Sequence, residues 1–196
     1  PDDATAHSHS ALQATPDHPP ARGKRAKACR AAGQPEAALA EQLRRQQEAP
    51  DDPSVAIALA EIYRILGRFD DAEASYRQAI QLQPENMALL VALGDLYMGR
   101  AAPDLAASLY QQAAEGARSA QDTQVLVQAQ VQLGKAYVRL GRTDEAFALA
   151  QDLAANQPGY YQGYLLLGQL YESQNDLPAA QSAFESGLAQ APEGPA

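Results

Sequence analysis

LGDLY at residues 93–97 returns as LGKAY at 133–137 and LGQLY at 167–171, with a looser LAEIY at 59–63. The leucine, a small residue and the tyrosine persist, while the residue after the small one runs Glu61, Asp95, Lys135, Gln169. Tyr63 and Tyr97 lie 34 residues apart, Tyr137 follows 40 later and Tyr171 another 34 beyond. A second set keeps the same ruler: Ala38, Ala72, Ala106, Ala146 and Ala180. Pro50, Pro84, Pro158 and Pro192 close four of the five units, with Arg118 at that place in the remaining one. A period in the thirties is the mark of stacked supersecondary units, none of which can bury its apolar face alone.

Inside a unit the apolar spacing is helical. Leu59, Ala60, Tyr63 and Leu66 share one face; Gly67 interrupts; Ala72, Tyr76, Ala79 and Ile80 form a second face. Each unit therefore reads as a helix pair. Gly67 and Gly141 supply a turn conformation that a Cβ resists, and the closing proline lacks the amide donor that a longer helix would need.

These residues resemble the tetratricopeptide repeat, from about Pro53 to Pro192, with a degenerate first repeat upstream. The resemblance implies an all-α fold, a right-handed superhelical solenoid of antiparallel helix pairs. It also marks departures. The family's usual Trp is replaced by Ala56, Leu90, Gln130 and Tyr164, and Ala150 stands where other units carry Tyr76, Tyr110 and Phe184, so looser packing is expected there. The expected organisation is a disordered tail over 1–18, a degenerate repeat or cap over 19–52, repeats over 53–86 and 87–120, a repeat with a lengthened helix over 121–160, and a last repeat with its tail over 161–196. The six-residue excess before Tyr137 holds neither Pro nor Gly around 118–127, which predicts that one or both flanking helices are longer.

The formal charge of -9 is unevenly spread. Residues 1–50 hold seven basic and six acidic groups, whereas 51–196 hold eight and eighteen. An acidic body repels phosphate backbones, so nucleic acid is excluded as a general partner. No run of eighteen apolar residues spans a membrane. The sequence starts at Pro1 without a charged-then-apolar leader, so any signal or anchor is expected outside it. Cys29 is single and can form no intramolecular disulfide, and both a cytoplasmic and a bacterial cell-envelope location are compatible with that.

The residues offer little for catalysis. His7, His9 and His18 sit in the Pro-rich tail, too few and too loosely held for a zinc shell, and Cys29 has no histidine after it to act as base. No Gly-rich phosphate loop, GxSxG elbow or HExxH pair occurs. Catalytic, cofactor and metal sites are all expected to be absent. The basic run RGKRAKACR reads as a solvated, half-formed helix rather than an attachment site.

What is left is the wall made by the first helices. Opposite the Leu–Tyr core face lie Ile57, Glu61 and Arg64; then Val91, Asp95 and Met98; then Val131, Lys135, Val138 and Arg139; then Leu165 and Gln169. Across units, Ile57, Val91, Val131 and Leu165 form an apolar row expected to be exposed, and Glu61, Asp95, Lys135 and Gln169 a polar one. Such a groove would take a partner helix or peptide by its apolar side, with the polar row setting register. Some family members clamp a terminal carboxylate on this wall, but those places here hold Ile57, Glu61, Ala92, Gln128 and Gln132, so the basic clamp is missing. The function expected is a non-catalytic interaction scaffold or adaptor in assembly of a larger complex. The alternative is a structural scaffold that homo-oligomerises through its N-terminal or C-terminal repeat.

Overall fold

The computed structural model describes residues 35–191; the expected tail, the basic run, Cys29 and Pro192 lie outside them. The described residues form nine helices and no strand: α1 Pro35–Glu48, α2 Pro53–Ile65, α3 Phe69–Leu82, α4 Met87–Gly99, α5 Pro103–Ser119, α6 Thr123–Arg139, α7 Thr143–Asn156, α8 Tyr161–Ser173 and α9 Leu177–Gln190. None of them is long and apolar enough to cross a membrane. Both α5 and α6 run to 17 residues, against 13 or 14 elsewhere, which accounts for the wider tyrosine spacing between 97 and 137.

The chain divides into two compact units, one ending at Pro84 and the other starting at Glu85. In the first, α2 packs against both α1 and α3. Ala38 and Ile62, both essentially inaccessible, meet between α1 and α2 with Leu39 and Leu66 around them. In the second unit α4 pairs with α5, α6 with α7 and α8 with α9, while α4 touches α6 and α6 touches α8. First helices thus contact one another as a layer. The core there joins Ala146 and Ala150 to Leu166, Leu167 and Leu170, and the Phe147 and Tyr171 rings meet edge-on at 5.1 Å.

One turn geometry recurs after every first helix. The carbonyl of the cassette tyrosine accepts the N–H five residues on: Arg68 from Tyr63, Ala102 from Tyr97, Arg142 from Tyr137 and Asp176 from Tyr171, at 2.9–3.0 Å. That long bond closes the helix only if the residue before the donor is left-handed. Gly67 (φ 71) and Gly141 (φ 72) meet the condition freely, whereas Ala101 (φ 55) and Asn175 (φ 61) meet it with a side chain in place. In two units an arginine reinforces the turn. Arg68 lies 4.6 Å over the Tyr63 ring and bonds Asp71; Arg142 lies 4.3 Å over Tyr137 and bonds Glu145.

Start signals are equally local. Asp52 caps α2 by accepting from the Ser54 amide at 2.9 Å and its hydroxyl at 2.6 Å, with Pro53 in the first turn. Asp122 and Asp176 cap α6 and α9 in the same way, through the amides of Val125 and Ala179.

The looseness expected at Ala150 is not found. Ala150 is fully buried, and the slot beside Gly134 that an aromatic ring would occupy is filled by the Leu166 side chain of the next pair. A longer aliphatic reaching across replaces the missing ring, so close packing is kept.

Candidate partner-binding surface

The twelve residues expected to face a groove separate into three groups. The first is the apolar row, of which two members face inward. Val91 is only 1% exposed and Val131 9%, so the row Ile57, Val91, Val131, Leu165 is not a line of exposed aliphatics. The expectation failed because α4 packs against α6 as well as α5, which encloses the helix on more than one side. Ile57 is half-buried on α2, and Leu165 alone of the four is openly exposed, at 38%.

A second group is polar but already engaged. Glu61 Oε1 accepts the Tyr76 hydroxyl at 2.5 Å, while its other oxygen pairs with Arg64 at 2.8 Å. That bond to Glu61 holds the Arg64 guanidinium in its charged form more firmly than usual. Asp95 Oδ1 accepts the Tyr110 hydroxyl at 2.6 Å and the Gln132 amide at 2.7 Å. Burial first, and the carboxylate bond second, push both phenols well above their ordinary range. Asp95 and Glu61 were read as facing away from the core; they reach sideways into it, because a half-buried carboxylate is where a buried tyrosine hydroxyl finds its acceptor.

The third group gathers in the second unit. Met98, Lys135, Val138, Arg139 and Gln169 line one cleft of about 300 Å³, floored by Leu166 and Leu170. Lys135 also lines a neighbouring cleft of about 260 Å³ with Gln124, Gln128, Val131, Gln132, Tyr160 and Gln162. Lys135 donates to Gln132 at 3.0 Å; Arg139 forms no hydrogen bond or ion pair among the described residues. Neither cleft is lined by a carboxylate. Tyr160, ahead of α8, and Gln124, in the lengthened part of α6, were missed by the repeat register. For Gln124 the one signal was the extra length of α6 itself.

Three repeat-family models match the chain. One described as TPR repeat covers residues 60–99, and two described as Tetratricopeptide repeat cover 89–124 and 131–195. The chain is a tetratricopeptide-repeat protein. Over 67 residues it is 39% identical to the chloroplastic tetratricopeptide repeat domain-containing protein PYG7 of Arabidopsis thaliana, a match spanning 34% of this chain and 22% of that protein. Among solved structures it is similar to MamA from Desulfovibrio magneticus RS-1, with a TM-score of 0.68 at 18% identity, covering 89% of this chain and 95% of that one. YrrB, a TPR protein with an unusual peptide-binding site, aligns with a TM-score of 0.62 at 18% identity, covering 95% and 93%. At such identities these structures share the fold.

Proposed function

We propose that this protein is a non-catalytic scaffold or adaptor that holds a partner's peptide or helix against its first helices, in assembly of a larger complex. The observation carrying this reading is the pair of adjoining clefts along α6, where Lys135 and Arg139 stand beside the exposed Val138 with no acidic neighbour in the lining. Cations without a carboxylate partner beside apolar surface suit an incoming chain better than plain solvation. The peptide-binding site ascribed to YrrB supports a similar use of this fold.

The test is capture of partners on the immobilised whole chain, followed by Val138→Glu and Arg139→Glu. Capture lost with helicity and melting unchanged supports the scaffold reading. Capture unchanged in both variants overturns it, and turnover on a substrate panel would overturn its non-catalytic part.

A second reading, self-association, is favoured by one feature. Leu177 and Leu188 on α9 are 61% and 77% exposed and flank a cleft of about 330 Å³ with Phe184. Light scattering that gives the same monomer mass across a hundredfold concentration range would dismiss it.

A further inference from the structure

We infer that α9 of one copy receives the basic run at residues 22–30 of a second copy, so that chains join head to tail. This rests on the self-association reading above and adds the partner segment and its chemistry.

α9 presents a face that α8 leaves uncovered. Leu177 is 61% exposed and Leu188 77%, one towards each end of the helix, and between them the half-buried Phe184 lines a cleft of about 330 Å³. Glu172 and Glu185 edge the same cleft, and no basic residue lines it. Gln181 donates to Glu185 at 2.7 Å, and neither carboxylate forms an ion pair among the described residues. An apolar strip edged by carboxylates suits long cationic side chains, whose stems lie along leucine while their heads reach the acids. Two α9 faces set against each other would bring like charges together, which disfavours a symmetric pairing.

The preceding pair shows what covers such a face. α8 packs on α7 as well as on α9, and Tyr164 donates its hydroxyl to the Ala154 carbonyl of α7 at 3.3 Å. One repeat further on, the place of Ala154 is taken by Leu188. Among the described residues no first helix lies over Leu188.

The sequence holds a segment with the place and the charge for that seat. RGKRAKACR, residues 22–30, carries five basic side chains and no acidic one, on a chain of formal charge -9. It precedes α1 at the place of a first helix, and in the repeat register Arg22 corresponds to Tyr164 of α8. First helices in the second unit each pack on two second helices, α6 on α5 and α7, α8 on α7 and α9. A run supplied by a second copy satisfies that pattern at once, with its own α1 on one side and the first copy's α9 on the other. Such a join is heterologous, so it repeats along an open chain instead of closing as a dimer.

The experiment reverses charge on the full chain. In sedimentation velocity the parent should show a mass that climbs past the dimer with concentration. Its association should weaken about threefold or more between about 0.03 and 0.3 M salt, as screened charge pairs require. Glu172→Lys with Glu185→Lys, and separately Arg22→Glu with Arg25→Glu, should each weaken association about tenfold or more, with circular dichroism and melting unchanged. Mixing the two variants in equal amounts should restore assembly, because each then offers the other a complementary end. Misfolding of either variant cannot produce that restoration.

Association indifferent to both reversals, closed dimers that do not grow with concentration, or a mixture that stays dissociated overturns the inference and leaves self-association standing. A parent that stays monomeric across a hundredfold concentration range overturns both.

Discussion

Tyr110 donates its hydroxyl to Asp95, and Tyr76 donates to Glu61, each pair fifteen residues apart in the sequence. The same spacing in the next two pairs joins Lys135 to Ala150 and Gln169 to Phe184, where no hydroxyl exists. A carboxylate therefore stands on the first helix where the second helix brings a buried phenol, and elsewhere the position is released to solvent. The variable residue inside the LxxxY cassette follows its partner on the next helix.

This coupling is measurable. Tyr110→Phe and Asp95→Ala should each destabilise the protein by about 1.5–3 kcal/mol, the worth of a hydrogen bond to a charged group. The double variant should lose less than the sum, leaving a coupling of about 1 kcal/mol, read from urea midpoints. Lys135→Ala with the native Ala150 should show no comparable effect.

Alkaline pH tests the same bonds. The phenols of Tyr76 and Tyr110 are raised in the folded state from an ordinary value of 10.0, by burial and then by their carboxylate partners. Stability from a raised group is fully present below the unfolded value and is lost as pH climbs through the folded one. Urea midpoints should hold up to about pH 9 and fall above about pH 10, by about 1 kcal/mol per tyrosine one unit higher. The Tyr76→Phe, Tyr110→Phe double variant should have a flatter alkaline limb.

Ala101 occupies a left-handed turn position that Gly67 and Gly141 fill without strain. Removing its Cβ relieves about 1–2 kcal/mol of conformational strain, offset by roughly 0.5–1 kcal/mol of extra unfolded-chain entropy. Ala101→Gly should raise the melting temperature slightly, and Gly67→Ala should lower it more clearly.

Gly94 and Gly168 both face an aromatic ring, but with different freedom. A Cβ at Gly94 would sit 2.5 Å from the Tyr110 ring, which is fully buried and tied to Asp95. At Gly168 it would overlap the ring of Phe184, which lines an open cleft and can move aside. Gly94→Ala is expected to cost about 1–3 kcal/mol by overpacking, and Gly168→Ala distinctly less, as differential calorimetry would report.

Asp52 carries a cap whose loss is visible in acid. The Ser54 hydroxyl, and beyond it the Ser54 amide and Arg45, hold its carboxyl below 3.8. Stability from a depressed acid is present above the unfolded value and is lost as pH falls through the folded one, so the contribution should disappear below about pH 4. Asp52→Ala should cost about 1 kcal/mol at neutral pH and close to nothing at pH 2.

The sequence alone determined the repeat, because the spacing of Leu, Gly, Tyr and Ala is a property of the chain and survives without coordinates. The turns at Gly67 and Gly141 were legible for the same reason: their causes lie within a few residues. The left-handed turn at Ala101 was less visible, since alanine does not advertise that conformation, whereas Asn175 is a residue type that adopts it readily.

What only the tertiary structure decided was the fate of the wall. A helical wheel divides a helix into a core face and a free face, but α4 and α6 are packed on more than one side, so Val91 and Val131 were enclosed rather than exposed. The wheel likewise could not show that Tyr110 reaches round to Asp95, or that the Gln162 side-chain oxygen ends up buried without a donor among the described residues. Those facts depend on side chains from different helices meeting at distances of a few ångströms. Periodicity fixes which helices are made; their mutual packing fixes which side chains remain for a partner.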